Sequence, residues 1–317
     1  MKFENQLSYV NNGFQVLKNE IDDISLEKIR NIIEKEFCES NYPSIMYPCI
    51  SNRYISDILI DCIFIDKLKL FMNDLSCSIG EEVLIFPMLE IMRNYFSCPA
   101  LGRQGWHSDC NGELKIIECK SLLKKRTYCF GKIGIYLQKN TDFGGQIDLI
   151  PKTHLNIRND VFSLAELSLK ISNQLLKLGF GKINLSNQWV SDMVVLNRIK
   201  INVNPLDLVL FDSGIIHRGT PLNLRALKEI KEITKYTFDE GSHLNGNKVN
   251  LKDNNKYAIY LQFGTIDGLK SYYIDRSKRT SSSFEFELWN KHYDSDSFSR
   301  IPSINKSKNI FEKIINS

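Results

Sequence analysis

Two periodicities divide the chain. Residues 25–37, SLEKIRNIIEKEF, place Leu26, Ile29, Ile32, Ile33 and Phe37 at three- and four-residue spacing. That predicts an amphipathic helix, with Ser25 as N-cap and Lys28 where a full capping box has Glu. From about residue 83 the texture changes. The runs VLIFPMLEIMRNYF, GKIGIYLQ, GQIDLIP, NPLDLVLFDSGIIH and KYAIYLQFG are short, rich in Ile, Val, Leu, Phe and Tyr, and separated by turn formers. They predict strands. Among them, SLAELSLKISNQLLKLG (163–179) returns to helical spacing through Leu164, Leu167, Ile171, Leu175 and Leu178, with Gly179 as the stop. A further helix is expected over about 222–235. With no repeat and no low-complexity linker, the pattern predicts one domain over 1–317. A helical part (1–80) precedes a β core (about 83–265) and a Ser- and Lys-rich C-terminal extension (about 266–317). Many short strands after a helical start predict a mainly β sandwich or barrel with helices packed outside.

Bulk composition narrows the partners. The chain has 317 residues, enough for a substantial core, and 43% apolar with 25% charged residues is ordinary for a globular protein. The 41 basic and 37 acidic residues leave a net charge of +4. That is too balanced to imply nucleic acid, and no basic arm with interleaved aromatics is present. The opening MKFENQLSYVNNGF lacks an apolar signal core, and no run reaches the roughly 18 apolar residues of a membrane span. The eight cysteines lie between Cys38 and Cys129 with no C-x-x-C pair. Reduced thiols in a cytoplasmic protein are therefore expected, with no membrane partner.

The candidate chemistry begins at RQGWHSDCNG (103–112). His107 and Asp109 are two positions apart, so on a strand both side chains point to the same face. The same pair in a surface loop would be an unremarkable capped turn. His217 closes LVLFDSGIIH, an apolar strand, a turn and a second short strand, which would bring it to the mouth of a barrel. Two imidazoles and one carboxylate leave three positions open on a metal, the arrangement of non-heme Fe(II) oxygenases. Such a site keeps a net positive charge, which suits a dianionic chelator such as 2-oxoglutarate.

Four segments resemble the phytanoyl-CoA dioxygenase-like family, in the family's order. YVNNGFQVLKNEIDDISLEKIRNIIEKEF (9–37) is similar to its N-terminus, with a tyrosine, a glycine, a short VL strand and a helix. GWHSD (105–109) looks like its first iron motif. IYLQKNTDFGGQIDLIPKTHL (135–155) looks like its strand, T-x-x-x-G-G turn and IPGSH strand end. LVLFDSGIIHRGTPLN (208–223) resembles its distal-histidine segment. The resemblance implies a double-stranded β-helix (jelly roll, cupin-like) core, Fe(II), 2-oxoglutarate as co-substrate and O2. It implies His107, Asp109 and His217 as metal ligands, and His154 as a structural histidine. Here Lys152 and Thr153 replace the usual glycine and serine of IPGSH, which bears on the loop geometry. The family holds the distal carboxylate of 2-oxoglutarate with an arginine on the strand after the distal histidine. In this chain a charged insertion (226–255) intervenes, so Lys256, at the start of KYAIYLQFG, is the expected anchor, with Arg225 as the alternative.

The remaining candidates have plainer readings. Trp106 is expected in core packing, and Gly144 and Gly145 in a turn. Tyr136 and Gln138 share one strand face, opposite Ile135 and Leu137, and are candidates to line the cavity and touch the co-substrate. The charge run KSLLKKR (120–126) reads as a solvated face; His243 and His292 sit in polar stretches. Asp109 stands where halide-installing relatives carry a small residue, so hydroxylation or another oxidation is expected. A zinc-dependent hydrolase or isomerase, or a binding module on the same fold, are the alternatives. The loop segments 110–131, 156–204 and 235–255 match no decodable substrate motif.

Overall fold

The strands and helices follow one another as β1 (Phe14–Leu17), α1 (Asp23–Glu39), β2 (Ile45–Met46), α2 (Ile65–Ile79), β3 (Val83–Arg93), β4 (Phe130–Tyr136) and β5 (Ile147–Ile150). Then come α3 (Leu164–Lys177), β6 (Ile199–Lys200), β7 (Leu208–Asp212), β8 (Ile216–Gly219) and β9 (Tyr257–Thr265). This is a computed structural model, and it describes residues 9–18, 23–39, 45–46, 65–93, 106–109, 130–139, 145–155, 164–177, 193, 195–220 and 257–268. The expected helix at 222–235, the C-terminal extension beyond 268 and the 120–126 charge run lie outside them.

The strands form two antiparallel sheets, one of order β1-β7-β4-β9-β3-β2 and one of order β6-β5-β8. His107 joins the second sheet through a bridge to His217. The pairing is nested. β3 pairs with β9, His107 with His217, β4 with β7, and β5 with β6. The chain thus runs out through β3, His107, β4 and β5 and returns through β6, β7, β8 and β9, each outgoing segment beside its returning partner. Successive segments alternate between the sheets except at the central β5–β6 turnaround. This is the double-stranded β-helix, or jelly roll, that the sequence led us to expect. The β1 strand, within the helical N-terminal part, extends the larger sheet by pairing with β7.

Strand alternation decides what each face meets. On the larger sheet Ile133, Ile135, Leu208, Leu210, Ile259, Leu261 and Phe263 face α1 and α2. Those helices bury Ile29, Ile33, Leu68, Phe71, Met72 and Leu75 against them. The spacing Leu68, Phe71, Met72, Leu75 is the helical stripe that makes α2 a core helix. Ile33, Ile133 and Ile259 are each 0% exposed, and each such side chain stabilises the fold by roughly 1.5–3 kcal/mol relative to leaving it in water. The opposite face carries Tyr136, Val209 and Phe211, which meet Ile147, Leu149 and Ile215 of the smaller sheet's layer. The candidate site lies between the sheets on this inner face.

Two turns set the geometry of the layer. Gly13 has φ 82°, and a Cβ there would come within 2.5 Å of His154 Nδ1; only glycine fits both constraints. His154 in turn places Nε2 3.0 Å from the Val10 carbonyl. It is 2% exposed and structural, as the resemblance implied. Lys152, in the family's glycine position, adopts φ 68°. Thr153, in the serine position, donates from Oγ1 to the Ile150 carbonyl at 2.8 Å and accepts from Ile216 N–H at 2.8 Å. The turn therefore combines a left-handed residue with a hydroxyl clamp.

Candidate metal centre

His107, Asp109 and His217 come together, each offering one ligand atom, and these atoms all lie within 4.8 Å of one another. The backbone explains the convergence. His107 N–H donates to the His217 carbonyl at 2.9 Å, and His217 N–H donates to the His107 carbonyl at 2.8 Å. This reciprocal pair locks the two residues side by side, with ring centroids 4.4 Å apart. Asp109 follows two residues on, in the turn that ends the bridge, and its Oδ2 lies 3.9 Å from His217 Nε2. The i, i+2 expectation therefore holds, although a single bridge residue replaces a full strand.

The protein fixes the tautomer of one ligand. His217 Nδ1 lies 3.0 Å from the Ile215 carbonyl; the Nδ1–H donates to it, which leaves the Nε2 lone pair facing Asp109. Burial, which outweighs the opposing pull of Asp109, pushes the His217 pKa down to about 4, and His107 adds to the downward shift. The ring is neutral at pH 7. Burial works against an ionised Asp109, but Lys132, then His217 and His107, more than compensate, and the carboxyl stays well below the usual carboxylate range. Neutral imidazole and ionised carboxylate are the forms that bind metal. Nitrogen and oxygen ligands lie about 2.0–2.2 Å from a first-row dication, so donors around one ion stand about 3–4 Å apart. The donor set suits one such ion, and the 3.9 Å between His217 Nε2 and Asp109 Oδ2 falls within that spacing.

Lys132, which the sequence reading did not select, is part of the site. Its Nζ lies 3.1 Å from Asp109 Oδ2, with the side chain 17% exposed. It stands on the inner face of β4, opposite Gln262 of β9 and Phe211 of β7, and its ammonium lies 5.8 Å from the centre of the Tyr260 ring. The signal was present in FGKIGIY, where one charged residue interrupts an apolar strand in register with Tyr136.

The other expected site residues fall in three groups. Tyr136 is 2% exposed on the inner face, with its ring 6.3 Å from Tyr260. Burial and then Tyr260 raise its pKa, so it remains a neutral phenol. Gly134 makes room for it: a Cβ there would lie 3.1 Å from the Tyr136 hydroxyl. Gln138 has a different set of partners. Its Oε1 accepts from Tyr257 N–H at 2.8 Å and its amide nitrogen donates to the Gly145 carbonyl, so both ends serve the backbone. Lys256 and Arg225, with Gly144, Cys110, His243 and His292, lie outside the described residues.

Trp106 is in core packing, as expected. It faces away from the ligands with Ile150, Leu169, Val195 and Ile216. There the Arg218 guanidinium stacks on its ring, and Arg218 also pairs with Asp148 at 3.2 Å. Thr220 donates to the other oxygen of Asp148 at 2.9 Å. A buried ion pair thus backs the strand that carries His217.

No family model matches the chain, and no curated protein does. Among solved structures, HygX from Streptomyces hygroscopicus, with nickel and 2-oxoglutarate bound, is similar over 84% of this chain and 87% of its own, at 13% identity and TM-score 0.48. SnoK, a non-heme alpha ketoglutarate dependent carbocyclase from nogalamycin biosynthesis, is similar over 84% and 85%, at 11% identity and TM-score 0.47. EctD from S. alaskensis is similar over 84% and 78%, at 10% identity and TM-score 0.43.

Proposed function

We propose that this chain is a non-heme iron(II) enzyme with 2-oxoglutarate as co-substrate and O2 as oxidant, hydroxylating a small polar metabolite such as a sugar or natural-product intermediate. One observation carries the reading: two imidazoles and one carboxylate, distant in sequence, converge within 4.8 Å between the sheets of a jelly roll. Two His and one carboxylate hold a dication on one face and leave its remaining positions for co-ligands. Iron(II) held there would supply the chemistry that places one oxygen atom of O2 in an unreactive C–H bond as hydroxyl and the other in succinate, as 2-oxoglutarate loses CO2.

The chain's own residues supply the setting. The Ile215 carbonyl orients His217. Phe211, with its ring 5.0 Å from His217, and the buried Tyr136 exclude water from the inner wall. Lys256, or Arg225 in its place, is assigned to the distal carboxylate of 2-oxoglutarate. Tyr136 is assigned to a neutral hydrogen bond with the co-substrate. Gln138, with both ends on the backbone, supports that wall more than it contacts ligand. Asp109 fills the position that halide would need, which favours oxygenation.

The test is anaerobic addition of Fe(II) and 2-oxoglutarate, read as a visible charge-transfer band, followed by succinate formation on admitting O2. A band in the wild type that disappears in His107→Ala is the expected result. A wild type with neither band nor succinate sinks the reading in favour of a zinc hydrolase or isomerase on the same ligands.

A further inference from the structure

Lys132 poses a charge problem at the proposed centre. Its ammonium already lies 3.1 Å from Asp109 Oδ2, the oxygen that faces His217 Nε2 at 3.9 Å. A dication entering among His107, Asp109 and His217 must share that carboxylate with the ammonium. The two cations then stand within a few ångströms of each other, where like charges repel strongly in a partly desolvated cavity. With the metal at +2, Asp109 at −1 and Lys132 at +1, the centre carries +2, and Lys132 is 17% exposed, with little water to screen it. An anion beside the metal relieves this, and two negative charges balance it.

The surroundings give the ammonium somewhere to turn. Lys132 stands on the inner face of β4 between Phe211 and Gln262 in the neighbouring strands. Its Nζ already lies over the Tyr260 ring at 5.8 Å, on the side of β4 that also carries Gly134 and Tyr136. A carboxylate that chelates the metal would sit beside Asp109, within a short swing of the lysine side chain.

We propose that Lys132 couples metal binding to the binding of a dicarboxylate co-ligand: it neutralises Asp109 in the metal-free protein and transfers to the metal-chelating carboxylate of the co-ligand in the loaded one. The proposal rests on the 2-oxoglutarate reading above. It makes Lys132 a residue that binds co-ligand, distinct from Lys256 or Arg225 at the distal end. Linkage requires that each ligand then tighten the other. A lysine that merely props Asp109 would instead weaken metal binding when removed and leave the coupling unchanged.

The experiment titrates Mn(II) calorimetrically into wild type, Lys132→Met and Lys132→Arg, with and without saturating 2-oxoglutarate. Circular dichroism melts show that each variant is folded, and Lys132→Gln replaces the Met variant if that one is not. In wild type, 2-oxoglutarate should raise Mn(II) affinity by about 10-fold or more, within the usual range of coupling between sites. Lys132→Met should bind Mn(II) alone several-fold more tightly than wild type, and its enhancement by 2-oxoglutarate should fall below about 3-fold. Lys132→Arg should keep most of the coupling. Wild-type coupling in Lys132→Met, or weaker binding of Mn(II) alone, overturns the lysine proposal and leaves the co-substrate reading standing. Mn(II) binding in wild type with no response to 2-oxoglutarate overturns the co-substrate reading, and the lysine proposal with it.

Discussion

The guanidinium of Arg218 lies 4.4 Å from the centre of the Trp106 indole, on the opposite side of the sheet from His217 and His107, their neighbours in the chain. The two histidines of the candidate centre are thus tied twice, by backbone hydrogen bonds between them and by a cation–aromatic contact behind them. Arg218 is 1% exposed and paired with Asp148. Replacing it with Met strands a buried carboxylate and should destabilise the protein by about 3–5 kcal/mol. Trp106→Phe keeps an aromatic face and should lose no more than about 2 kcal/mol. Urea unfolding of the two variants checks the ranking; equal losses would contradict it.

Removal of a ligand should abolish metal binding while the fold remains. His107→Ala, Asp109→Asn and His217→Ala are each expected to lower Mn(II) affinity by more than about 100-fold, above the range seen for outer partners of metal ligands. Metal at about 100 times its dissociation constant should stabilise wild type by about 2.7 kcal/mol and the variants by no more than about 0.4 kcal/mol. Thermal melts with and without Mn(II) separate these outcomes.

Acid stability follows from His217. Its folded pKa is pushed down to about 4, against 6.5 for a free imidazole. Between these values the unfolded chain holds a proton that the folded chain lacks, so unfolding is favoured as pH falls. The contribution is fully present above about pH 6.5 and is lost progressively toward pH 4, reaching at most roughly 3 kcal/mol. Asp109, whose carboxyl is held low, loses its contribution only at still lower pH. The metal-free His217→Asn variant should therefore show a flatter stability profile between pH 6.5 and pH 4 than wild type. Parallel profiles would refute this origin.

The turn at Lys152 and Thr153 makes a stability prediction away from the metal. Lys152 is exposed and sits at φ 68°, so Lys152→Gly should stabilise the fold by up to about 1 kcal/mol. Thr153→Ala removes the acceptor for the buried Ile216 N–H and should cost about 1–3 kcal/mol, whereas Thr153→Ser should cost less. Denaturant midpoints report both, and a destabilised Lys152→Gly would show that the left-handed turn carries no strain.

What the sequence disclosed and what it hid divide along physical lines. His107 and Asp109 were legible because extended backbone puts i and i+2 on one face, and His217 because an apolar strand ended there. The termini of α1 and α3 fell within two residues of their predicted positions. The α2 helix was overlooked although Leu68, Phe71, Met72 and Leu75 carry the same stripe as α1. Only two residues make up β6, too few for an alternating pattern to register. Lys132 was hidden by its commonness. In a chain with 41 basic residues one more lysine carries little signal, and only pairing with β7 and β9 shows it turned inward. Gln138 looked like a cavity residue by parity, yet its amide closes the backbone between Gly145 and Tyr257, a role that depends on contacts remote in sequence.

The reciprocal hydrogen bonds between His107 and His217 have an evolutionary corollary. They join the two imidazoles directly, so their spacing is indifferent to how much chain is spliced in at 110–129 or 221–256. A scaffold pinned in this way can accept insertions of different length at those two places without moving the paired rings.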